Sequence, residues 1–159
     1  LQLINNNPAL ATMRGFFCVI ILNTYMMEMK LTMNRNISLY EAIGGAETLR
    51  RIVESFYPKV QAHELIGPLF PENIIPVMEK QIMFLTQFFG GPALFSNEYG
   101  HPMMRARHMP FPITPKHAEA WLDCMKRALQ EASGLDEELQ AYIIERLSGP
   151  AYHFVNTPE

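Results

Sequence analysis

From residue 38 onward the apolar residues of this chain return every three to four positions, and no stretch sustains a period of two. Leu49, Ile52, Val53, Phe56, Tyr57 and Val60 make one such stripe. Met78, Ile82, Leu85 and Phe89 make a second, beside a face of Val77, Gln81, Phe84 and Phe88. Ala118, Trp121, Leu122, Met125, Ala128 and Leu129 form a third, and Leu139, Tyr142, Ile143 and Leu147 a fourth. A spacing near 3.6 gathers side chains on one side of a helix, whereas a half-buried strand needs alternation. The fold class expected is therefore all-α.

The punctuation agrees with this reading. Ser38-Leu39-Tyr40-Glu41 is a capping box, with the serine placed to accept a first-turn amide and the glutamate to bond back. The short helix it opens stops at Gly44-Gly45, and the first stripe runs from about Ala46 to Val60. Pro58 lies inside that stripe and is expected to kink its last turn, because it lacks an amide donor. Gly67-Pro68 and Pro71 mark a corner around Leu69 and Phe70, and Gly90-Gly91-Pro92 ends a helix that starts near Ile75. Residues 93–112 are broken by Gly100, Pro102, Pro110 and Pro112, which leaves room for one short helix at Met103 to His108. Thr114-Pro115 starts the next helix as an N-cap followed by proline. Gly134 ends it, and Asp136 caps the last.

A length of 159 residues suits one domain with a real core. Residues 37–157 are expected to form it, and residues 1–36 to be a non-globular or artefactual extension, with the native start near Met33. The apolar run Phe16 to Leu22 is cut by Asn23 and Thr24, well short of the ~20 residues a membrane span requires. It could serve as a signal-peptide core, but Arg14 is a meagre basic flank and no clear cleavage site follows. The chain holds 13 basic and 16 acidic residues, a net charge of −3 that gives no footprint for a nucleic-acid backbone. Cys18 and Cys124 have no ligand or disulfide spacing, as expected of a cytoplasmic chain. Eleven methionines and ten phenylalanines suit an adaptable helical core, or a pocket for a flat apolar cofactor.

His108 carries the clearest chemistry. It closes Met103-Met104-Arg105-Ala106-Arg107-His108 and precedes Met109-Pro110-Phe111. An imidazole among methionine and phenylalanine, beside two arginines, suits an axial haem ligand with cations at hand for propionates. Tyr57 and Trp121 sit on buried faces with a hydroxyl and an indole N–H that need acceptors, and Gln81 is polar on an otherwise apolar face. Singly, each has an ordinary explanation as a core or surface residue. Three donors on three separate core faces point to something held between them. His101 reads as a turn or capping residue beside Pro102, and His63-Glu64 and His117-x-Glu119 as surface. There is no phosphate-binding glycine loop, no Gly-x-Ser-x-Gly elbow, no His-Glu-x-x-His motif and no Glu-x-x-His repeat of a di-iron bundle.

The segments Phe84-Leu85-Thr86-Gln87-Phe88-Phe89-Gly90-Gly91-Pro92, Gly100-His101-Pro102, Arg105-Ala106-Arg107-His108-Met109-Pro110-Phe111 and Ala120-Trp121-Leu122-Asp123-Cys124-Met125 follow one another in the order seen in a known family. Over Leu39 to Val155 the chain resembles the group II truncated haemoglobins. The resemblance implies a two-over-two helical sandwich around haem b, iron protoporphyrin IX. It implies His108 as the proximal iron ligand, Tyr57 and Trp121 as the distal donors, and Gln81 and Val77 as inward positions of the distal helix. Phe70 is implied as the corner aromatic against the haem, Lys80 and Arg107 as propionate partners, and Phe84, Met104 and Phe111 as pocket lining. Two positions depart from the family pattern. Val77 stands where a smaller or hydroxylated residue is usual, and Ser148-Gly149-Pro150 is expected to break the last helix near Leu147.

The function expected is reversible binding of oxygen and related diatomic ligands such as nitric oxide or carbon monoxide, held tightly and released slowly. Alternatives are a peroxidase-like or nitric-oxide-detoxifying enzyme fed by an unidentified reductant, and a cofactor-free helical interaction module. Neither nucleic acid nor membrane is an expected partner, and the chain is expected to be a monomer or homodimer.

Overall fold

The computed structural model describes residues 24–31 and 37–158. Residues 24–31 form α1; then follow α2 (Leu39–Ala42), α3 (Gly45–Ala62), α4 (Ile75–Phe88), α5 (Leu94–Tyr99), α6 (Met104–His108), α7 (Pro115–Ala132) and α8 (Glu137–His153). A single 3₁₀ turn, Gly67–Leu69, rounds the corner between α3 and α4. No strand occurs among the described residues.

Two helix pairs build the sandwich. α3 packs on α4 and α7 packs on α8, and the pairs meet through α3 and α7. This is the two-over-two arrangement implied by the resemblance. Its centre is the first stripe: Val53, Phe56 and Val60 are fully buried, against Cys124, Met125, Ala128 and Leu129 of α7. Burying a side chain such as Phe or Leu is worth about 1.5–3 kcal/mol, and this interface is where most of that gain accrues.

The caps form as read. The Ser38 amide donates to Glu41 Oε2 (2.9 Å), and the Glu41 amide donates to Ser38 Oγ (3.2 Å). Asp136 Oδ1 accepts from the Leu139 amide at 2.8 Å. At α7 the cap is reciprocal in an unusual way, with the Thr114 amide donating to His117 Nδ1 (3.2 Å). His117 is thus occupied in the helix start. The glycine pair after α4 has a packing reason: a Cβ on Gly91 would come within 2.7 Å of the Tyr40 ring. Tyr40 in turn donates its amide to Phe89 O (2.8 Å), tying α2 to the end of α4.

Several elements differ from the sequence reading. α3 continues through Pro58 to Ala62, two residues beyond the expected end. α8 does not break at Leu147; it runs through Pro150 to His153. Proline removes only its own amide bond, here the one to the Arg146 carbonyl, and helical bonding resumes as the Phe154 amide donates to Pro150 O at 3.2 Å. α5 was not expected at all. It is short, and its stabilising group comes from another helix: Gln87 Oε1 accepts from the Ser96 amide (3.0 Å) while Gln87 Nε2 donates to Ser96 Oγ (2.8 Å).

Within the segment expected to be non-globular, α1 is helical, and Met27 is buried in the common core. Lys30 pairs with Glu138 of α8 at 2.6 Å. The apolar run at 16–22, Cys18 and Met33 lie outside the described residues; Cys124 is a free, buried thiol.

Candidate functional site

α3 presents Tyr57 on its most buried face, where it is 1% exposed. A phenol there needs an acceptor, and its hydroxyl donates to Gln81 Oε1 on α4. Burial pushes the Tyr57 pKa well above its ordinary value of 10, so the hydroxyl stays protonated and remains a donor. Phe70, from the corner after the 3₁₀ turn, meets the Tyr57 ring edge-on at 6.0 Å. Phe56 lies between two members of the set: its ring makes edge contacts of 5.1 Å with both Tyr57 and Trp121. The buried stripe of α3 therefore fixes the tyrosine and, through Phe56, the tryptophan of α7. Trp121 is only half-buried, and among the described residues its Nε1–H has no protein acceptor. The Gln81 amide nitrogen likewise has none there. Val77 is half-buried on the same face of α4 as Gln81 and Phe84.

His108 ends α6. Its Nδ1 lies 2.6 Å from the carbonyl oxygen of Met104, one turn earlier. A carbonyl can only accept, so Nδ1 carries a proton, and in the neutral imidazole Nε2 then keeps its lone pair. This is the tautomer a metal-ligating imidazole requires, with the other nitrogen oriented by a backbone oxygen. Met104 is half-buried, while Met109 and Phe111, beyond α6, are more than 40% exposed. α6 shares in none of the extensive helix–helix packing of the molecule.

Lys80 and Arg107 meet at α5, the helix absent from the sequence reading. Lys80 Nζ stands 5.2 Å above the Tyr99 ring. The Arg107 guanidinium donates to Pro102 O (2.8 Å) and Tyr99 O (3.4 Å), and it lies 5.5 Å from the centre of the Phe95 ring. Phe84 packs on Phe88 and, edge-on, on Phe95 at 5.8 Å. Two cations and an aromatic cluster are thus gathered around one short helix.

Most of the residues named from the sequence fall into three groups: Tyr57 with Gln81, Phe70 and, through Phe56, Trp121; Lys80, Arg107 and Phe84 about α5; and His108 with Met104. No hydrogen bond or ring contact among the described residues joins His108 to the tyrosine group. A cavity of about 520 Å³ opens elsewhere, against Thr24, Leu129, Tyr142, Ile144 and Glu145. It contains none of these residues and no imidazole. Sequence reasoning did not single out Phe56, which links the two donors. Nor did it find Phe154, whose ring stacks on His108, or Asn156, whose amide reaches the carbonyls of His108 and Phe111. Phe56 stands on the α3 stripe and was legible as core. The other two act across a sequence separation of more than forty residues.

The donor set fits a haem. It offers one imidazole with a free Nε2 lone pair and half-buried Val77, Phe84, Met104 and Trp121 for a flat apolar group. It also offers two cations, and two N–H donors without protein acceptors among the described residues. A two-over-two helical sandwich carrying this set of side chains is the architecture of a globin.

Comparison with known proteins gives the family. The family model of bacterial-like globins matches residues 38–156. The chain is 48% identical over 120 residues to the group 2 truncated hemoglobin YjbI of Bacillus subtilis (strain 168), covering 76% of this chain and 89% of that one. The crystal structure of the group II truncated hemoglobin from Bacillus anthracis superposes with a TM-score of 0.74 at 46% identity, covering 77% of this chain and 93% of the other. A truncated oxygen-avid haemoglobin from Bacillus subtilis gives 0.71 at 48% identity, over 75% and 99%. The chain belongs to the bacterial-like globins, as a group II truncated haemoglobin.

Proposed function

We propose that this globin reversibly binds oxygen and related diatomic ligands on a haem b held by His108. Haem held by these residues would supply an iron able to take such a ligand. The protein's part is to hold the group and to aim hydrogen-bond donors. His108 would offer Nε2, and Lys80 and Arg107, the latter bonded here to the Pro102 and Tyr99 carbonyls, would pair with the propionates. Phe70, Phe84, Met104 and Phe111 supply apolar surface. The chain has no Cys-x-x-Cys-His motif for covalent attachment, in keeping with haem b.

The observation that carries this reading is the Nδ1···Met104 O contact of 2.6 Å, which leaves His108 Nε2 as a ligand. On the ligand side, Trp121 Nε1–H and the Gln81 amide N–H are donors with no protein acceptor among the described residues. Tyr57 has a single proton, which Gln81 accepts here, so a ligand competes with Gln81 for it. Val77, apolar and half-buried beside Gln81, adds bulk without a donor. A hydrogen bond to a charged partner is worth about 1.5–3 kcal/mol, which converts to roughly 10- to 150-fold in a release rate. Tight, slow-release binding is the expected behaviour, in line with the relative described as oxygen-avid.

Stopped-flow oxygen dissociation tests the assignment. Trp121→Phe and Tyr57→Phe are each expected to speed release by at least about tenfold. Unchanged rates in both variants would contradict the roles given to these two side chains.

A further inference from the structure

The end of the chain is stitched to the loop that carries His108. The Phe154 ring lies parallel to the imidazole, with centroids 4.1 Å apart and planes 6° from each other. Asn156 uses its side chain to the full. Nδ2 donates to His108 O (3.2 Å) and Phe111 O (2.9 Å), while Oδ1 accepts from the Ile113 amide (3.1 Å). The amides of Asn156 and Thr157 donate to Ile113 O, both at 3.0 Å. One turn back, the Arg105 guanidinium donates to His153 O. All of this depends on α8 continuing through Pro150, since the Phe154 amide is bonded to Pro150 O.

We propose that Phe154 and Asn156 are positioning residues for the His108 imidazole, Phe154 setting the plane of the ring and Asn156 the place of the backbone that bears it. The proposal rests on the reading of His108 as the iron ligand. The bond from Nδ1 to Met104 O selects the tautomer, yet a ring held by one hydrogen bond can still rock about it. A parallel aromatic face removes that freedom, because tilting the imidazole breaks the stack. Phenylalanine brings no polar atom, so it constrains the ring without competing for Nε2. The backbone is the second requirement. α6 has five residues and lacks extensive packing on any other helix, so its own helical bonding cannot hold His108 in place. Asn156 ties residues 108, 111 and 113 to one side chain. An aspartate there would keep the shape but turn two donated bonds into oxygen facing oxygen.

A merely structural role predicts altered stability alone; a positioning role also alters the bond between His108 and iron. Resonance Raman spectra of the ferrous, ligand-free, haem-loaded protein report that bond as a His–iron stretching band. The unsubstituted protein is expected to give one narrow band. Phe154→Leu and Asn156→Asp are each expected to shift and broaden it, and Phe154→Tyr, which retains an aromatic face, to restore it. Transfer of ferric haem to excess apomyoglobin is expected to be roughly tenfold faster in the first two, the scale on which loss of an outer-sphere partner weakens a metal site. Far-UV circular dichroism verifies that each variant keeps its helices. In the unsubstituted protein, proton NMR is expected to show ring-to-ring contacts between His108 and Phe154. Their absence would overturn the proposal even if a variant failed to fold. A His–iron band and haem transfer unmoved in both variants would overturn it while leaving His108 as the ligand; no such band in the unsubstituted protein would overturn both readings.

Discussion

The two sides of the proposed site are held in place by different physics. Tyr57, Gln81 and Trp121 stand on α3, α4 and α7, long helices whose apolar stripes share one core. His108 stands on the five-residue α6 and is placed by hydrogen bonds to Met104 O, from Asn156, and by the Phe154 ring. Long amphipathic helices draw their stability from the buried stripe, whereas a single turn cannot sustain itself and must be tied down. The tyrosine side is placed by core packing. The histidine side is placed by its ties.

The sharpest way to break that contrast is Phe56→Ala. Phe56 is fully buried and touches both Tyr57 and Trp121. Its loss is expected to lower unfolding free energy by about 3–5 kcal/mol in urea titration, and to loosen both donors at once. A loss below about 1 kcal/mol would show that the tyrosine side does not hang on this packing.

A smaller effect comes from Tyr57 at alkaline pH. Its folded pKa is raised by burial above the ordinary value of 10, so in the unfolded chain the phenol ionises first. Between those two values the folded state binds more protons than the unfolded one. Stability is therefore full below pH 10 and falls as pH rises beyond it, with a slope of at most about 1.4 kcal/mol per pH unit from this group. Tyr57→Phe is expected to reduce that slope in urea titrations above pH 10. Tyr142, whose pKa burial also raises, keeps part of it in both proteins.

The smallest stability effect is expected on the histidine side. Asn156→Ala removes partly solvated, neutral hydrogen bonds and should cost about 1 kcal/mol globally. Locally it should speed hydrogen exchange at the Ile113 amide, which Asn156 Oδ1 accepts. Unchanged exchange at Ile113 would remove the distinction between a packed side and a tied side.

The same contrast explains what the sequence revealed. The four stripes, the Ser38 and Asp136 caps and the stop at Gly90-Gly91 could be read locally, since a periodic pattern and a cap are properties of neighbouring residues. Tyr57 and Gln81 could be placed on buried faces for the same reason. α5 escaped notice because Gln87 on α4 supplies its capping groups. Pro150 was read as a breaker because a proline rule applied residue by residue does not register how little helix remains beyond it. The links from Phe154 and Asn156 to His108 join distant parts of the chain. They have no periodic signature at all. Residues 24–31 carry too short a pattern to announce that Met27 joins the core.

The central claim is that His108 Nε2 is the protein's bond to iron, and His108→Ala tests it most directly. Ferrous absorption spectra of the haem-loaded native and substituted proteins would be compared, with far-UV circular dichroism taken alongside. The account predicts a five-coordinate histidine-ligated spectrum in the native protein. In the variant that spectrum is lost while the helical signal is retained, because His108 lies outside the core cluster. The same five-coordinate spectrum in both proteins would contradict it.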